Sequence, residues 1–183
     1  MTTNETTSLL SGERTDLLDT LRKHRDLFLR TVDGLDDDQA RLRPTASALC
    51  LGGLVKHVTA TVAEWNRFVE HGPEEQAAID WEAIDWSNPP AEVLAYHQQF
   101  ELGEGETLAD VLAAYGEVAA ATEALVATVD LDADQPLPEA PWFEAGSRWT
   151  ARRTFLHVVA ETAQHAGHAD IIRESIDGAK SMG

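Results

Sequence analysis

Apolar residues recur along this chain at helical spacing. From Leu9 to Val32 they fall at Leu10, Leu17, Leu18, Leu21, Leu27, Phe28 and Val32, with Arg14, Asp16, Arg22 and Lys23 on the opposite side. That pattern predicts an amphipathic helix over 9–32. Gly34 stops it, Asp36-Asp37-Asp38-Gln39 opens a short helical turn, and Pro44 closes that turn. A second long helix is predicted over 51–70. It starts beside Gly52-Gly53, where backbones can approach closely, and ends at Gly72-Pro73. His57, Thr61, Glu64, Trp65 and Phe68 share one of its faces. Thr107, with Asp110 three residues on, caps a third helix over 107–129, where Leu108, Val111, Leu112, Tyr115, Val118, Thr122, Leu125 and Val126 keep the period. Ser147 or Thr150 starts the last helix, over 150–177.

Two stretches break the periodicity. Residues 72–106 carry Asp80, Trp81, Asp85, Trp86, Pro89, Pro90 and Gly103-Glu104-Gly105. They read as an acidic, irregular excursion with one short helix around 91–100, docked on the domain by its aromatic residues in the manner of a lid. His97 falls there and reads as a loop residue. Residues 130–147 form a second long loop. No alternating run is long enough for a strand, and no hairpin dipeptide joins two such runs. The expected fold is therefore all-α, a four-helix bundle with long connections and not a simple up-down-up-down one. One domain is expected over 9–183, behind a short disordered leader at 1–8.

Charge narrows the class of partner. The net charge is −18, which argues against nucleic acid and anionic membranes, both of which need a cationic surface. No apolar run in the sequence approaches membrane-spanning length, and Met1 to Ser8 is polar without a basic start. The expectation is a cytoplasmic protein acting on a small-molecule substrate, with enough apolar helix surface for a homodimer interface. Cys50 is the only cysteine, so neither a disulfide within the chain nor a cysteine zinc site can form. Ala48-Leu49-Cys50-Leu51 makes it a small buried hydrophobe in preference to a nucleophile. His24, on the first helix, reads as a surface residue.

The chemistry concentrates on the last helix. At 100° per residue, His157, Glu161, His165 and His168 fall within roughly 80° of one another. Phe155, Leu156, Val158, Val159, Ala160, Ala163, Ile171 and Ile172 otherwise make this helix apolar nearly all round, as in a buried one. A polar stripe on such a helix is unfavourable without a partner, and neutral imidazole and carboxylate are ordinary ligands for zinc and its neighbours. Glu161 and His165 can point at one ion, and so can His165 and His168. On the second helix His57 stands among Leu54, Val55 and Val58. Bundles build metal sites from facing helices in this way.

A histidine in the second helix, then a last helix carrying a ligand, three residues, a histidine and x-Gly-x, resembles the DinB-like family of metal-binding bundles. Many members have His-x3-His followed by Arg-Gly-Gln, where this chain has Glu161-x3-His165 followed by Ala166-Gly167-His168. A histidine often found four residues upstream matches His157. The His/Glu/His set looks like the branch that includes mycothiol-dependent isomerases and transferases. Leu51-Gly52-Gly53-Leu54-Val55-Lys56-His57 and His165-Ala166-Gly167-His168-Ala169-Asp170 resemble an actinobacterial branch near it. The resemblance implies one divalent metal on His57, Glu161 and His165, with remaining positions open. Zinc is the first choice, with nickel, iron and manganese left open. It also implies a low-molecular-weight thiol bound as thiolate, in a transferase or isomerase. His168, where glutamine is usual, is either a fourth ligand or a support behind the ligands, as is His157. A metal-dependent hydrolase, a non-enzymatic metal-binding stress protein and a metal-free ligand-binding bundle are the other readings.

Overall fold

A computed structural model describes residues 10–74, 84–140 and 142–182. The leader expected at 1–8, and Asp80 and Trp81 of the excursion, lie outside them. The elements are α1 (Gly12–Arg30), α2 (Asp37–Arg41), α3 (Leu51–His71), α4 (Ala91–Gln98), α5 (Leu108–Thr128), β1 (Asp134–Pro136), β2 (Arg148–Thr150) and α6 (Ala151–Asp177). Four long helices form an all-α bundle, as the periodicity predicts. Each starts on a cap: Ser11, Cys50, Thr107 and Thr150 accept from the amide three residues on.

α1 packs on α6 and α5, and α3 packs on the same two helices. Cross-contacts give the directions. Glu13 meets Arg152, and Arg173 Nη1 donates to Thr31 O and Asp33 O, so α1 and α6 run parallel. Arg14 meets the carbonyls of Val126 and Val129 while Phe28 meets Tyr115, so α1 and α5 are antiparallel. Lys56 reaches Glu106 and Asn66 reaches Thr122, which makes α3 and α5 parallel. The order is up-down-down-up. Two consecutive parallel helices need a connection that travels back the length of α3, about 31 Å for 21 residues. This is the physical reason for the long excursion between them.

Three expectations are corrected. A strand pair exists, β1 against β2, antiparallel with Gln135 opposite Trp149. Three residues per strand are too few to show alternation, and Pro136 in one of them hides it further. His97 is on the last turn of α4, not in a loop, with its ring edge-on to Trp86 and Tyr96. α6 is not buried all round: Leu156 is 47% and Ile171 62% exposed. A corner helix packed mainly on α1 and α3 keeps a solvent face.

α5 is long and apolar enough, by length and composition, to cross a membrane, which the sequence reading did not anticipate. Here it is a bundle member: Tyr115, Thr122 and Val126 are buried, and Glu123 is held by two arginines of α1. Those hydrogen bonds, first the one from Arg22, hold the Glu123 carboxyl below its usual 4.5. A depressed carboxylate stabilises the fold above its unfolded pKa and loses that contribution as pH falls through the folded value. Glu123→Gln should therefore cost about 1 kcal/mol near pH 7. Urea unfolding should show the gap to wild type closing once the pH is below the folded value.

Candidate metal centre

α3 and α6 are antiparallel neighbours, so His57 faces His165 and, eight residues on along α3 and eight back along α6, Trp65 faces His157. The ring centroids are 4.7 Å and 4.9 Å apart. Glu161 lies between the two pairs. Its Oε1 is 3.3 Å from His157 Nε2 and its Oε2 is 3.7 Å from His165 Nε2. His57, Glu161, His165 and His157 thus line one half-buried groove between the two helices. His168 is at its exposed outer end, edge-on to His165 at 5.4 Å. Among the described residues no three side chains of the metal-binding types already stand as a formed cage. The donors are neighbours whose side chains would have to turn toward a shared ion.

Burial favours the neutral form of three of these imidazoles. Burial pushes His57 and His157 down from their usual value. His165 is pushed down to about 4, first by burial and then by His57 and His168. A neutral ring keeps a lone pair for a ligand. His165 Nδ1 is buried with no hydrogen-bond partner, which is costly and which a cation bound at that nitrogen would offset. On this test the residues fit a divalent metal: neutral nitrogen donors, one carboxylate and an orphaned buried nitrogen in one place.

Several contributors have no sequence signal of their own. Gln99 Oε1 lies 3.3 Å from His57 Nδ1. Accepting the Nδ1 proton there leaves His57 Nε2 as the free donor. Phe100 stacks on His57 at 4.3 Å. Both come from the excursion, 42 and 43 residues from His57 in sequence (99 − 57 and 100 − 57), so periodicity could not find them. At the other end Trp149 of β2 stacks on Trp65 and, like Trp65, stands edge-on to His157. His24 stays on α1, clear of these contacts. Cys50 is buried as the cap of α3. A separate cavity of about 30 Å³ lies inside the bundle, lined by Leu21, Tyr115 and Thr162 among others. It has room for about one water and is lined by none of the histidines. The donor chemistry is in the groove.

The mycothiol-S-transferase family model matches residues 16–178, a stretch that contains every residue of this groove. The chain belongs to the mycothiol-S-transferase family. Membership puts it among mycothiol-related transferases of the DinB-like kind. A solved structure from Enterococcus faecalis, titled as a conserved protein of its locus, shares the fold. Its TM-score is 0.60 at 14% identity, over 90% of this chain and 97% of that one. No curated protein matches.

Proposed function

We propose that this mycothiol-S-transferase family member is a divalent-metal-dependent thiol S-transferase, with His57, Glu161 and His165 as the metal ligands and zinc as the first candidate ion. The observation that carries the reading is that α3 and α6 bring two imidazoles and a carboxylate into one groove, with Glu161 beside His165 Nε2 and His165 Nδ1 buried without a partner. When bound, the metal would supply Lewis acidity that keeps a thiol deprotonated at neutral pH. Three protein ligands leave a position for that thiol, whereas a structural zinc is closed by four.

The chain's own residues prepare the site. Gln99 fixes the His57 tautomer and Phe100 fixes its ring plane. His157, boxed by Trp65 and Trp149, holds one oxygen of Glu161 and leaves the other toward His165. The half-buried groove limits water around the sulfur while staying open at the His168 end to a small molecule.

The test is metal content by elemental analysis on the purified chain, together with loss of free thiol when mycothiol and an alkylating electrophile are supplied. Stoichiometric metal and metal-dependent consumption of mycothiol are expected. A metal-free chain that consumes thiol at the same rate would sink the reading. His157→Ala is expected to keep metal but bind it roughly 10–100-fold more weakly, because Glu161 loses its orienting partner. Competition with a calibrated chelator reads that shift.

A further inference from the structure

Arg153, His157, Glu161 and His165 follow one another at four-residue intervals on α6. They therefore form one row, stepping about 6 Å at a time. Arg153 is the first member and the only one with no part in the metal chemistry above. Its guanidinium carbon is 4.5 Å from the centre of the Trp149 ring, and Trp149 stacks on Trp65 at 5.2 Å and 22°. A guanidinium on an aromatic face uses its plane there and keeps its N–H edge for a bidentate acceptor.

That edge has no acceptor among the described residues. Arg152, just before it in sequence, is bonded to Glu13 and Asp132. Arg153 is exposed and has neither a carboxylate nor a carbonyl partner among the described residues. Its position is also electrostatically adverse. It sits in the first turn of a 27-residue helix that has no acidic side chain in that turn, where the helix dipole disfavours a cation. A cation left unpaired at the wrong end of a helix, in a chain of net charge −18, is a receptor for an anion from outside. The helix amides are not that receptor, since those of Ala151, Arg152 and Arg153 are already bonded to Ala133 O, Leu131 O and Thr150 Oγ1.

We propose that Arg153, backed by Trp149 and Trp65, is the co-substrate end of the groove and selects an electrophile that carries a carboxylate on a flat apolar body. The carboxylate sits at Arg153, the flat body lies against the tryptophan and His157 edges, and the reacting carbon points toward Glu161 and His165. Two helical turns separate Arg153 from Glu161, about 12 Å along the axis. Less the reach of the arginine, this is the span of a small aryl carboxylic acid. The role as co-substrate site rests on the transferase reading above; the binding itself does not.

The test is calorimetric titration of the full chain, stripped of metal by chelator so that no carboxylate can bind an ion. The probes are phenylacetate, its neutral amide phenylacetamide, and inorganic phosphate. Wild type is expected to bind phenylacetate roughly 10- to 100-fold tighter than the amide, the range of a charge-assisted pair, and tighter than phosphate. Arg153→Gln should bring acid and amide within about twofold of each other, and Arg153→Lys should keep part of the preference. Trp149→Leu should weaken both organic probes together. Equal binding of acid and amide by wild type, or a preference that survives in Arg153→Gln, overturns the proposal. Phosphate binding as tightly as phenylacetate also overturns it, by reducing the site to a general anion site. Should Arg153→Gln fail to fold by circular dichroism, the wild-type comparison and the Arg153→Lys and Trp149→Leu variants still decide. Metal content measured before stripping tests the transferase reading separately, so the two can fail independently.

Discussion

Replacing His57 by alanine is expected to leave the chain folded and without stoichiometric metal. His57 is half-buried at the groove wall, and its removal takes away the only ligand that α3 contributes to the proposed set. Glu161 and His165 would remain, one turn apart on α6, and two ligands on one helix do not complete a site of three. Neighbours that act through a ligand should behave differently. Gln99→Ala, which frees His57 Nδ1, and His168→Ala, at the exposed end, should weaken binding by roughly 10–100-fold and keep the stoichiometry at saturating metal. Elemental analysis after dialysis against a calibrated chelator separates the two classes, with circular dichroism as the check on folding. Wild-type metal content in His57→Ala would remove α3 from the site and the triad with it.

What the sequence shows of this molecule follows from the range of the interactions involved. The long helices were legible because burial repeats every 3.6 residues, and their starts because Thr107 and Thr150 bond to amides only three residues away. The polar row on α6 was legible for the same reason, since residues four apart share a face. The excursion lies in the connection between α3 and α5. Its purpose became visible only with the helix directions, because nothing local in residues 51–71 and 108–128 says that the two helices run parallel. β1 and β2 were missed because their pairing depends on contacts fourteen residues apart, such as Arg148 with Asp134. Phe100 was legible as a docking aromatic, but its partner was not, and Gln99 was missed, because both gain their meaning at the site only from lying against His57.

The same contact makes Gly53→Ala the most damaging small substitution expected in this fold. A Cβ on Gly53 would fall 1.9 Å from Phe100 O, 2.2 Å from Phe100 C and 2.7 Å from Glu101 N. These are backbone atoms, so no side-chain rotation relieves the clash, and the segment around Phe100 would have to lift from α3. That segment is tied down from the same helix: Lys56 Nζ donates to Gln98 O at 3.2 Å and Glu101 O at 2.9 Å. Overpacking against fixed atoms should cost about 3 kcal/mol or more. Two other glycines calibrate the effect. At Gly52 an added Cβ meets only Leu102, 2.8 Å from its Cδ2 and 2.9 Å from its Cβ; rotation relieves the first contact and a small backbone shift is needed for the second, so Gly52→Ala should cost about 2 kcal/mol. Gly116, on α5, has nothing within 4 Å, and alanine there should stabilise by roughly 0.5–1 kcal/mol through helix propensity. Thermal unfolding should therefore rank Gly116→Ala above wild type, then Gly52→Ala, then Gly53→Ala. Gly53→Ala touches none of the proposed ligands, yet lifting Phe100 also draws Gln99 away from His57. Metal affinity in that variant should fall along with stability, as is expected for affinity in Gln99→Ala, while Gly52→Ala should keep it. Equal Tm values for Gly53→Ala and Gly52→Ala would mean that the excursion does not rest on α3, and that His57 is held by something else.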